Sequence, residues 1–581
     1  MPFGIGGENG GTYMFYGIGA SDGIGIGRAV KISVENRSYS MTRTIDAEAE
    51  KKRLDGGIGR FAERTERLAA RMDESGADGA ILRGHIAMMS DPYMISQMRD
   101  EVDSGASAEA AVIHVCDSFI AMFSETDDDM TRERCADIED TKREVLAALT
   151  GVESTDISSL PVDSVIITDE LTPSMTAEMD RSHVAAIVTE RGGMTSHSAI
   201  ISRSLGIPAV LSVLGALNQI EDGEPIIVDG RRGEVLCGFD AETEEHYRGL
   251  AKMYEAERKC LEEYRGKPSK TADGVRVAVY ANVGTVSDID SAVSGDAEGI
   301  GLFRTEFLFL DRTVPPTEDE QYASYSKAAL AMKGREVIIR TLDVGGDKNV
   351  PCLGMKHEDN PFLGHRAIRY CLSNRELFKT QLRAVLRASA DGKVALMLPL
   401  VTRLSEVRDA RSLLHEAMRE LEADGVPYDR DIRFGVMIET PAACMIADCL
   451  AAEVDFFSIG TNDLTGYIMA ADRGNAEVGE IYSVFDPAVL RAVRRIISCA
   501  GAAGIMCGMC GEAAADERLI PLLVAFGLGE YSVNPGSVLR VRRTLSDITR
   551  ADAERIAETA LSLDTEREVR EYLDSCVRKE I

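Results

Sequence analysis

Residues 184–203 read VAAIVTERGGMTSHSAIISR, so that a short apolar run is joined to an amphipathic one through two glycines. The first run predicts a strand, Gly192 and Gly193 predict a tight loop, and the segment up to Pro208 predicts a helix. His197 then lies near the helix N-terminus, where free backbone N–H groups favour an anion such as a phosphoryl group. Taken alone, a histidine in this position is more often a structural hydrogen-bonding residue, so the rest of the chain must decide between the two interpretations.

The composition is that of a soluble protein with several domains. A chain of 581 residues exceeds what one hydrophobic core organises, and no apolar run is long enough to cross a bilayer. The first eleven residues are glycine-rich and lack the pattern of a secretory signal. A formal net charge of −31 argues against nucleic acid or an anionic membrane as partner, and it fits either a basic protein partner or solubility alone.

The 12 cysteines are scattered, and Cys507 and Cys510 form the one C-x-x-C spacing. Because no second pair completes a metal site, we expect mostly reduced thiols in a cytoplasmic protein.

The first 240 residues divide into β-rich and helical segments. Short apolar runs and glycines occur at 16–34 and again at 155–240, whereas 35–154 has the helical period of about four segments. We therefore expect a small α/β domain built from the two β-rich segments, with a helical bundle inserted at 35–154. Residues 1–15 are expected to form a disordered leader. Within the bundle, His85 lies close to two methionines, Met88 and Met89, in a pattern that fits either core packing or an adaptable docking surface.

The second half of the chain predicts a (β/α)8 barrel. Residues 241–268 have a charged helical pattern without a strong apolar face, which is typical of a helix between domains. Residues 269–581 then repeat an apolar run and a helical pattern, as βα units do. The eight predicted strands are Val275–Asn282, Gly299–Arg304, Val337–Asp343, Val394–Leu400, Phe434–Glu439, Phe456–Asn462, Ile505–Cys510 and Tyr531–Asn534.

Polar or ionisable side chains follow most of these strands at their carboxyl ends, where the active sites of such barrels lie. Arg304 and Arg340 would gather positive charge that suits a carboxylate or a phosphate. Glu439 and Asp463 end neighbouring strands and could share a hard cation such as Mg²⁺, the alternative being ion pairs with the arginines. Cys510 could donate or accept a proton.

Five segments carry longer motifs: GGMTSH at 192–197, GLFRTEFLF at 301–309, NPFLGHRAIR at 360–369, GVMIETP at 435–441 and DFFSIGTNDL at 455–464. In these motifs the chain resembles Enzyme I, the phosphoenolpyruvate-protein phosphotransferase family of the bacterial sugar phosphotransferase system. The resemblance extends from about Tyr16 to the C-terminus.

The resemblance implies a two-step transfer. The phosphoryl group of phosphoenolpyruvate (PEP) passes to His197 and then to a histidine of the phosphocarrier protein HPr, with release of pyruvate, as the first step of sugar uptake. It also implies Mg²⁺ as cofactor, a homodimer formed through the barrel, and a cytoplasmic protein that neither binds nucleic acid nor inserts into a membrane.

The same resemblance assigns roles by motif position. Cys510 would protonate the enolate carbon, and Glu439 and Asp463 would hold Mg²⁺. PEP would be bound by Arg304, Arg340, Asn462, Asp463, Arg473 and Arg366. The docking surface for HPr would include His85, Met88, Met89 and Arg134.

Three alternatives accompany this interpretation, and the chain departs from the family pattern at four places, one of which is the additional glycine-rich stretch before Tyr13. A regulatory paralogue usually adds an N-terminal sensory domain, and PEP synthase or pyruvate phosphate dikinase would add an ATP-binding domain. A binding protein that has lost turnover would lack one of the chemical groups named above. Gly466 replaces the glutamine usual in the family, Asp22 replaces a proline and Ser90 replaces an acidic residue.

Overall fold

The computed structural model describes residues 6–9, 12–32, 46–74, 80–124, 129–151, 160–171, 175, 179–192, 198–199, 202, 206–310, 312–345, 350–356, 358–472, 475 and 477–577. The chain divides into two compact units, Met1–Lys259 and Cys260–Ile581. None of the helices within these described ranges is both long and apolar enough to span a membrane.

The first unit contains a sheet of nine strands in the order β1-β2-β9-β8-β4-β5-β6-β7-β3. Strands β4 to β7 run parallel to one another, and the remaining pairs are antiparallel. Two distant parts of the chain therefore interleave in one sheet. The strands are β1 (Gly6–Asn9), β2 (Thr12–Tyr16), β3 (Ile18–Ser21), β4 (Ile24–Ile32), β5 (Ser164–Thr168), β6 (Val184–Thr189), β7 (Ala209–Leu211), β8 (Pro225–Asp229) and β9 (Glu234–Cys237).

The glycines of β4 permit close backbone packing in this sheet. A Cβ on Gly25 would lie 2.2 Å from the carbonyl oxygen of Ala185, and one on Gly27 would lie 1.9 Å from that of Asp163. Glycine is the residue that tolerates such an approach. The glycine interruptions seen in the sequence thus belong to a strand at the middle of the sheet, and they do not end it.

Between β4 and β5, the described residues form five helices: α1 (Ala47–Glu74), α2 (Ala80–Met89), α3 (Pro92–Asp103), α4 (Ala108–Ser124) and α5 (Asp129–Thr150). They enclose an apolar core of their own, which includes Leu54, Met89, Met98 and Val112. The carboxylate of Asp91 accepts hydrogen bonds from the first backbone N–H groups of α3 and fixes where that helix begins.

After β7, the described residues also form α6 (Ala216–Gln219) and α7 (Ala241–Glu262). Tyr247 of α7 is buried against Ile227 and Leu236 of the sheet. The division between the two units falls within α7, after Lys259.

The second unit is a closed barrel of eight parallel strands in sequence order. They are β10 (Ala278–Val283), β11 (Ile300–Arg304), β12 (Val337–Arg340), β13 (Val394–Leu398), β14 (Arg433–Ile438), β15 (Phe456–Ile459), β16 (Met506–Met509) and β17 (Glu530–Val533). The predicted fold class, an α/β chain that ends in a (β/α)8 barrel, is confirmed. Each of the eight predicted strands overlaps one of these. Most of the observed strands end one to three residues before the predicted end.

The helices of this unit are α8 (Val286–Ser294), α9 (Glu318–Ala331), α10 (Ala367–Ser373), α11 (Arg375–Ala388), α12 (Leu404–Asp424), α13 (Pro441–Met445), α14 (Ala447–Ala451), α15 (Thr461–Met469), α16 (Pro487–Ala503), α17 (Ile520–Phe526), α18 (Val538–Asp547), α19 (Arg550–Ser562) and α20 (Glu566–Val577). A large apolar core lies between these helices and the barrel. A second, smaller cluster fills the interior of the barrel and includes Leu302, Met437, Phe456 and Cys510.

Candidate active site

Arg340, the last residue of β12, is held between two carboxylates at the carboxyl end of the barrel. Its Nη2 donates to Glu306 Oε1 over 2.7 Å, and its Nη1 lies 2.8 Å from Asp343 Oδ2. The side chain is buried. Burial acts to lower the pKa of Arg340, but Glu306 and Asp343 raise it by more. The guanidinium therefore stays charged and has a fixed orientation.

A second guanidinium is linked to the first through Asp343. Arg366 donates from Nη2 to Asp343 Oδ1 over 3.1 Å, and only 3% of its surface is exposed. Its guanidinium also lies 5.6 Å from the centre of the Phe362 ring, within the range of a cation–π contact. Asp343 thus connects two arginines that the sequence predicts separately.

Arg304 supplies a third positive charge at the same rim. It ends β11 and pairs in register with Arg340 of the neighbouring strand. Its side chain is partly exposed, in contrast to that of Arg340. Two guanidinium groups side by side, one fixed and one accessible, form a site suited to a carboxylate or a phosphate.

Glu439 and Asp463 bring two carboxylates to this rim, after β14 and in the first turn of α15. Glu439 is 2% exposed and accepts a hydrogen bond from the backbone N–H of Leu400 over 2.6 Å. Burial raises the pKa of Glu439, repulsion by Asp463 and Asp343 raises it further, and Arg340 opposes the shift. Bringing two carboxylates this close is unfavourable unless a cation or a proton relieves the repulsion.

The space around Glu439 is shaped for its carboxylate. A Cβ on Gly460 would lie 2.6 Å from Glu439 Oε2, so that a larger residue would fill the hollow beside that oxygen. Among the described residues there is no cluster of three or more potential metal ligands. A donor set of two carboxylates fits Mg²⁺, which takes one or two carboxylates and completes its shell with substrate oxygens and water.

Cys510 follows β16 and closes the opposite side of the barrel mouth. Its side chain is 5% exposed, and its backbone N–H donates to the carbonyl of Ile459 over 3.2 Å. Burial raises the pKa of the Cys510 thiol to about 12, with Ser458 and Arg340 acting in the opposite direction. The thiol therefore carries its proton at neutral pH and is suited to act as a proton donor. Cys507, on the same strand, is buried in the core outside the barrel.

Asn462 joins two loops of this rim. Its Nδ2 donates to Glu512 Oε1 and its Oδ1 accepts from the backbone N–H of Glu512, both over 3.4 Å. Its backbone carbonyl accepts a hydrogen bond from the Tyr482 hydroxyl over 2.8 Å. The structure therefore brings together Arg304, Arg340, Arg366, Glu439, Asn462, Asp463 and Cys510 at one end of one barrel.

Besides Asp343, Glu306 and Tyr467 lie at this rim and are absent from the site residues predicted from sequence. Glu306 lies within the motif at 301–309, two residues after Arg304, so the motif could have pointed to it. Tyr467 donates from its hydroxyl to the carbonyl of Phe362 over 2.5 Å, and burial raises the pKa of this hydroxyl to about 12. No local pattern marks Tyr467, because its partner is 105 residues away.

Two predicted site residues, His197 and Arg473, lie outside the described residues. Gly192, just before the histidine segment, has a φ of 112°, a conformation that glycine adopts readily. Its carbonyl accepts a hydrogen bond from Ser212 Oγ over 2.7 Å. After His197, Ser198 is buried and its Oγ accepts from the backbone N–H of Leu171 over 3.1 Å. The described neighbours of His197 are thus fixed on both sides.

The residues predicted to bind the carrier protein lie in α2 and α5. Met89 is fully buried and His85 is 4% exposed, with its Nε2 3.6 Å from Asp137 Oδ1. Met88 is partly buried against the helical core. The backbone of Arg134 belongs to α5. Of the three residues in α2, Met88 has the most accessible side chain.

Comparisons with known proteins match nearly the whole chain to one family of enzymes. Three domains of PEP-utilising enzymes match it: the N-terminal domain at 16–134, the mobile domain at 160–233 and the PEP-binding domain at 258–550. The phosphoenolpyruvate-protein phosphotransferases of Staphylococcus carnosus and Bacillus subtilis are each 40% identical to it over 556 residues, which cover 95% of this chain and 97% and 98% of theirs. That of Geobacillus stearothermophilus is 41% identical over 557 residues, or 95% of this chain and 96% of its own. The chain therefore belongs to the phosphoenolpyruvate-protein phosphotransferase family of PEP-utilising enzymes.

Proposed function

We propose that this protein transfers the phosphoryl group of PEP to His197 and from there to a histidine of the carrier protein HPr, with release of pyruvate. The observation that carries the proposal is the composition of one barrel rim. Arginines that bind anions, a pair of carboxylates that suits a divalent cation and a protonated thiol all lie there. These are the groups that phosphoryl transfer from PEP requires.

The arginines would bind the two anionic groups of PEP. Arg340 is already oriented by Glu306 and Asp343, so it loses little conformational freedom when PEP binds. Arg304, partly exposed and next to it in register, would close on the phosphate together with Arg473. Arg366 and Asn462 would support the site from its edges. Positive charge around the moving phosphoryl group stabilises the negative charge that its oxygens carry.

Glu439 and Asp463 would hold Mg²⁺. Bound there, the ion would neutralise charge on the substrate oxygens. The backbone N–H of Leu400 orients the Glu439 carboxylate, and Asp463 lies in the first turn of α15.

Cys510 would supply the proton that turns the enolate into pyruvate. As the bond between phosphorus and the enol oxygen breaks, a bond forms between phosphorus and a nitrogen of His197. The proton of the Cys510 thiol then moves to the terminal carbon of the enolate, which leaves a thiolate. A neutral imidazole can act as the nucleophile at physiological pH without a separate base.

His197 and the barrel belong to different compact units, so the transfer requires His197 to reach PEP and then the carrier. We propose that the division within α7 allows this movement, and that 241–268 serves as the linker between a phosphohistidine domain (16–34 and 155–240) and the PEP-binding barrel (269–581). The predicted disordered leader (1–15) is wrong for the residues that the structure describes there, because 6–9 and 12–15 pair into the sheet as β1 and β2. A homodimer through the barrel, a cytoplasmic location and a role in sugar uptake belong to the same proposal and rest on the family resemblance.

Docking of HPr is assigned to the helical segment 35–154. Met88 would contact the carrier, while His85 and Met89 would support it from beneath, since both are buried. Arg134 is proposed as a further contact. The net charge of −31 fits a partner that is more basic than this chain.

The test is to incubate the purified protein with PEP and Mg²⁺ and to measure its intact mass at alkaline pH. We expect the gain of one phosphoryl group, which is lost in acid and absent in His197→Ala. Addition of HPr should then remove the group from the protein. An unchanged mass with intact PEP would contradict the proposal. Labelling of His197 from ATP would instead support an activity like that of PEP synthase.

A further inference from the structure

A carboxyl group lies inside the barrel, below the candidate active site. Glu530, the first residue of β17, is 1% exposed, and within the described part of the chain neither of its carboxyl oxygens has a hydrogen-bond partner. Barrel interiors of this type are filled mainly by branched apolar side chains, and a buried polar group without a hydrogen bond costs free energy. The proposed chemistry at the rim does not use this residue.

Two glycines make room for the Glu530 carboxyl group. Glu530 pairs in register with Gly508 of β16, and a Cβ on Gly508 would lie 1.7 Å from Glu530 Oε2. A Cβ on Gly301 would lie 2.3 Å from the other oxygen. A side chain at either position would therefore displace the carboxyl group.

A buried hydroxyl lies on the other side of the same glycine. Ser458 of β15 pairs in register with Gly508 and is fully buried. Since residues in register on parallel strands point to the same side of a sheet, Ser458 and Glu530 both point into the barrel, one on each side of Gly508, which has no side chain. The Ser458 oxygen makes no hydrogen bond of ordinary geometry to any described residue, yet it lies close enough to Cys510 to act on the pKa of its thiol.

Cys510 lies closer to the carboxyl end of the barrel than Ser458, Gly508 and Glu530 do. It follows Gly508 by two residues, so both point into the barrel and are separated by about 7 Å along the strand. Burial, and then repulsion by Glu336, raise the pKa of Glu530 to about 8, with Arg433 opposing the shift. Glu530 therefore holds a proton at neutral pH, beneath the residue proposed to donate one.

We infer that Glu530 stores the proton that restores the Cys510 thiol, and that Ser458 relays it. The inference rests on the proposed function, because it requires Cys510 to protonate the enolate. After that step a thiolate remains in a buried site that disfavours charge. The Ser458 hydroxyl is not hydrogen-bonded to Glu530 in this structure, so the relay requires the two side chains to come within hydrogen-bond distance. The hydroxyl then gives its proton to the thiolate and takes one from the Glu530 carboxyl group. One S–H bond forms, one O–H bond of Glu530 breaks, and the hydroxyl is unchanged.

The negative charge then resides on Glu530, near the guanidinium of Arg433. Arg433 is partly exposed at the opposite end of the barrel, where its Nη1 also contacts Glu336 over 2.7 Å. Water is the source of the proton that returns to Glu530. Glu530 and Ser458 touch no substrate in this scheme, and they act only through the thiol.

The experiment is a rapid-quench assay of Glu530→Gln with PEP, Mg²⁺ and excess HPr. The thiol begins protonated, so the first equivalent of pyruvate per site should form at the wild-type rate. Later turnovers must wait for the thiol to regain a proton and should be slower by about tenfold or more. Ser458→Ala should show the same pattern, and the double variant should be no slower than the slower single variant, because both residues serve one path.

Tyr531→Phe is the matched control. Its hydroxyl is also buried without a hydrogen-bond partner among the described residues, but it lies in the core outside the barrel. In this variant, the first equivalent of pyruvate and the later turnovers should both form at the wild-type rates. The inference is overturned if the two phases of Glu530→Gln fall together, as a structural defect would cause, or if neither changes. Failure of the proposed function itself would look different, since the wild type would then form no pyruvate.

Discussion

Arg340 and Glu306 form a buried ion pair in which Arg340 Nη2 lies 2.7 Å from Glu306 Oε1. Arg340 ends β12, and Glu306 lies in the short 3-10 helix that follows the neighbouring strand β11. The glutamate follows the partly exposed Arg304 by two residues. One short stretch of chain therefore supplies a guanidinium to the proposed substrate site and a carboxylate that orients a second guanidinium.

Glu306→Gln should weaken PEP binding. The amide keeps the shape but removes the charge that strengthens this hydrogen bond, so Arg340 would be less well oriented. We expect KM for PEP to rise about tenfold, which corresponds to about 1.4 kcal/mol, with transfer from phospho-HPr to His197 unchanged. Glu320→Gln is the control, since Glu320 forms an exposed ion pair with Arg312. An unchanged or lower KM in Glu306→Gln would contradict the assigned role.

Cys510→Ala should stop pyruvate formation without affecting the exchange of the phosphoryl group between HPr and His197, because the exchange needs no carbon protonation. A loss of about 100-fold or more is expected for a missing proton donor. Cys507→Ala removes a thiol from the same strand that faces the outer core, and it should keep full activity. Pyruvate is measured directly in a coupled dehydrogenase assay, and the exchange between HPr and His197 is followed with a radiolabelled phosphoryl group. Equal loss of the two reactions in Cys510→Ala would show that the thiol is not the proton donor.

Glu439→Gln should change the dependence on the metal. With one carboxylate neutral, the pair with Asp463 loses half of its charge, so a higher Mg²⁺ concentration should be needed for half-maximal pyruvate formation. The free protein should also unfold at a higher temperature, because the repulsion that raises the pKa of buried Glu439 is removed. A Mg²⁺ titration and thermal unfolding with EDTA measure the two effects. An unchanged metal dependence would place the ion elsewhere.

Glu530 should make the stability of the barrel fall as the pH rises. Its pKa is about 8 in the folded protein and about 4.3 in an unfolded chain, so the folded state holds a proton that the unfolded state releases between these values. The free energy of unfolding should therefore decrease by up to about 1.4 kcal/mol per pH unit in this window. Glu530→Gln should remove that slope, as measured by urea unfolding at pH 5 and pH 8. If the free energy of unfolding changed with pH by the same amount in the wild type and in Glu530→Gln, Glu530 would not be the source of the pH dependence.

Met88 and Met89 should behave differently although they are adjacent. Met89 is fully buried in the helical core, so Met89→Ala should destabilise the first unit by about 2–5 kcal/mol. Met88 is partly exposed, and Met88→Ala should weaken HPr binding with a smaller effect on stability. Calorimetric titration with HPr and thermal unfolding separate the two. Unchanged HPr affinity in a folded Met88→Ala would remove this residue from the docking surface.

Much of the architecture can be predicted from the sequence. Eight apolar runs separated by helical patterns predicted the barrel, and the structure confirms it. The alternation carried the prediction, because a short apolar run between helical patterns is typical of a buried parallel strand in a βα unit. The motifs at 301–309, 435–441 and 455–464 predicted the family, which the comparisons confirm. Polar residues at the ends of strands also pointed to the rim, since parallel strands present their carboxyl ends together.

Only the tertiary structure decided which of these side chains meet. Strand register decides three of these relationships. It brings Arg340 to Glu306, it connects Arg366 to Arg340 through Asp343, and it places Ser458, Gly508 and Glu530 at one level of the barrel. A local pattern holds no information on register, because register is set when the barrel closes and neighbouring strands align. The same holds for burial: Met88 and Met89 are alike in sequence, and packing against distant helices alone determines which of them reaches the surface.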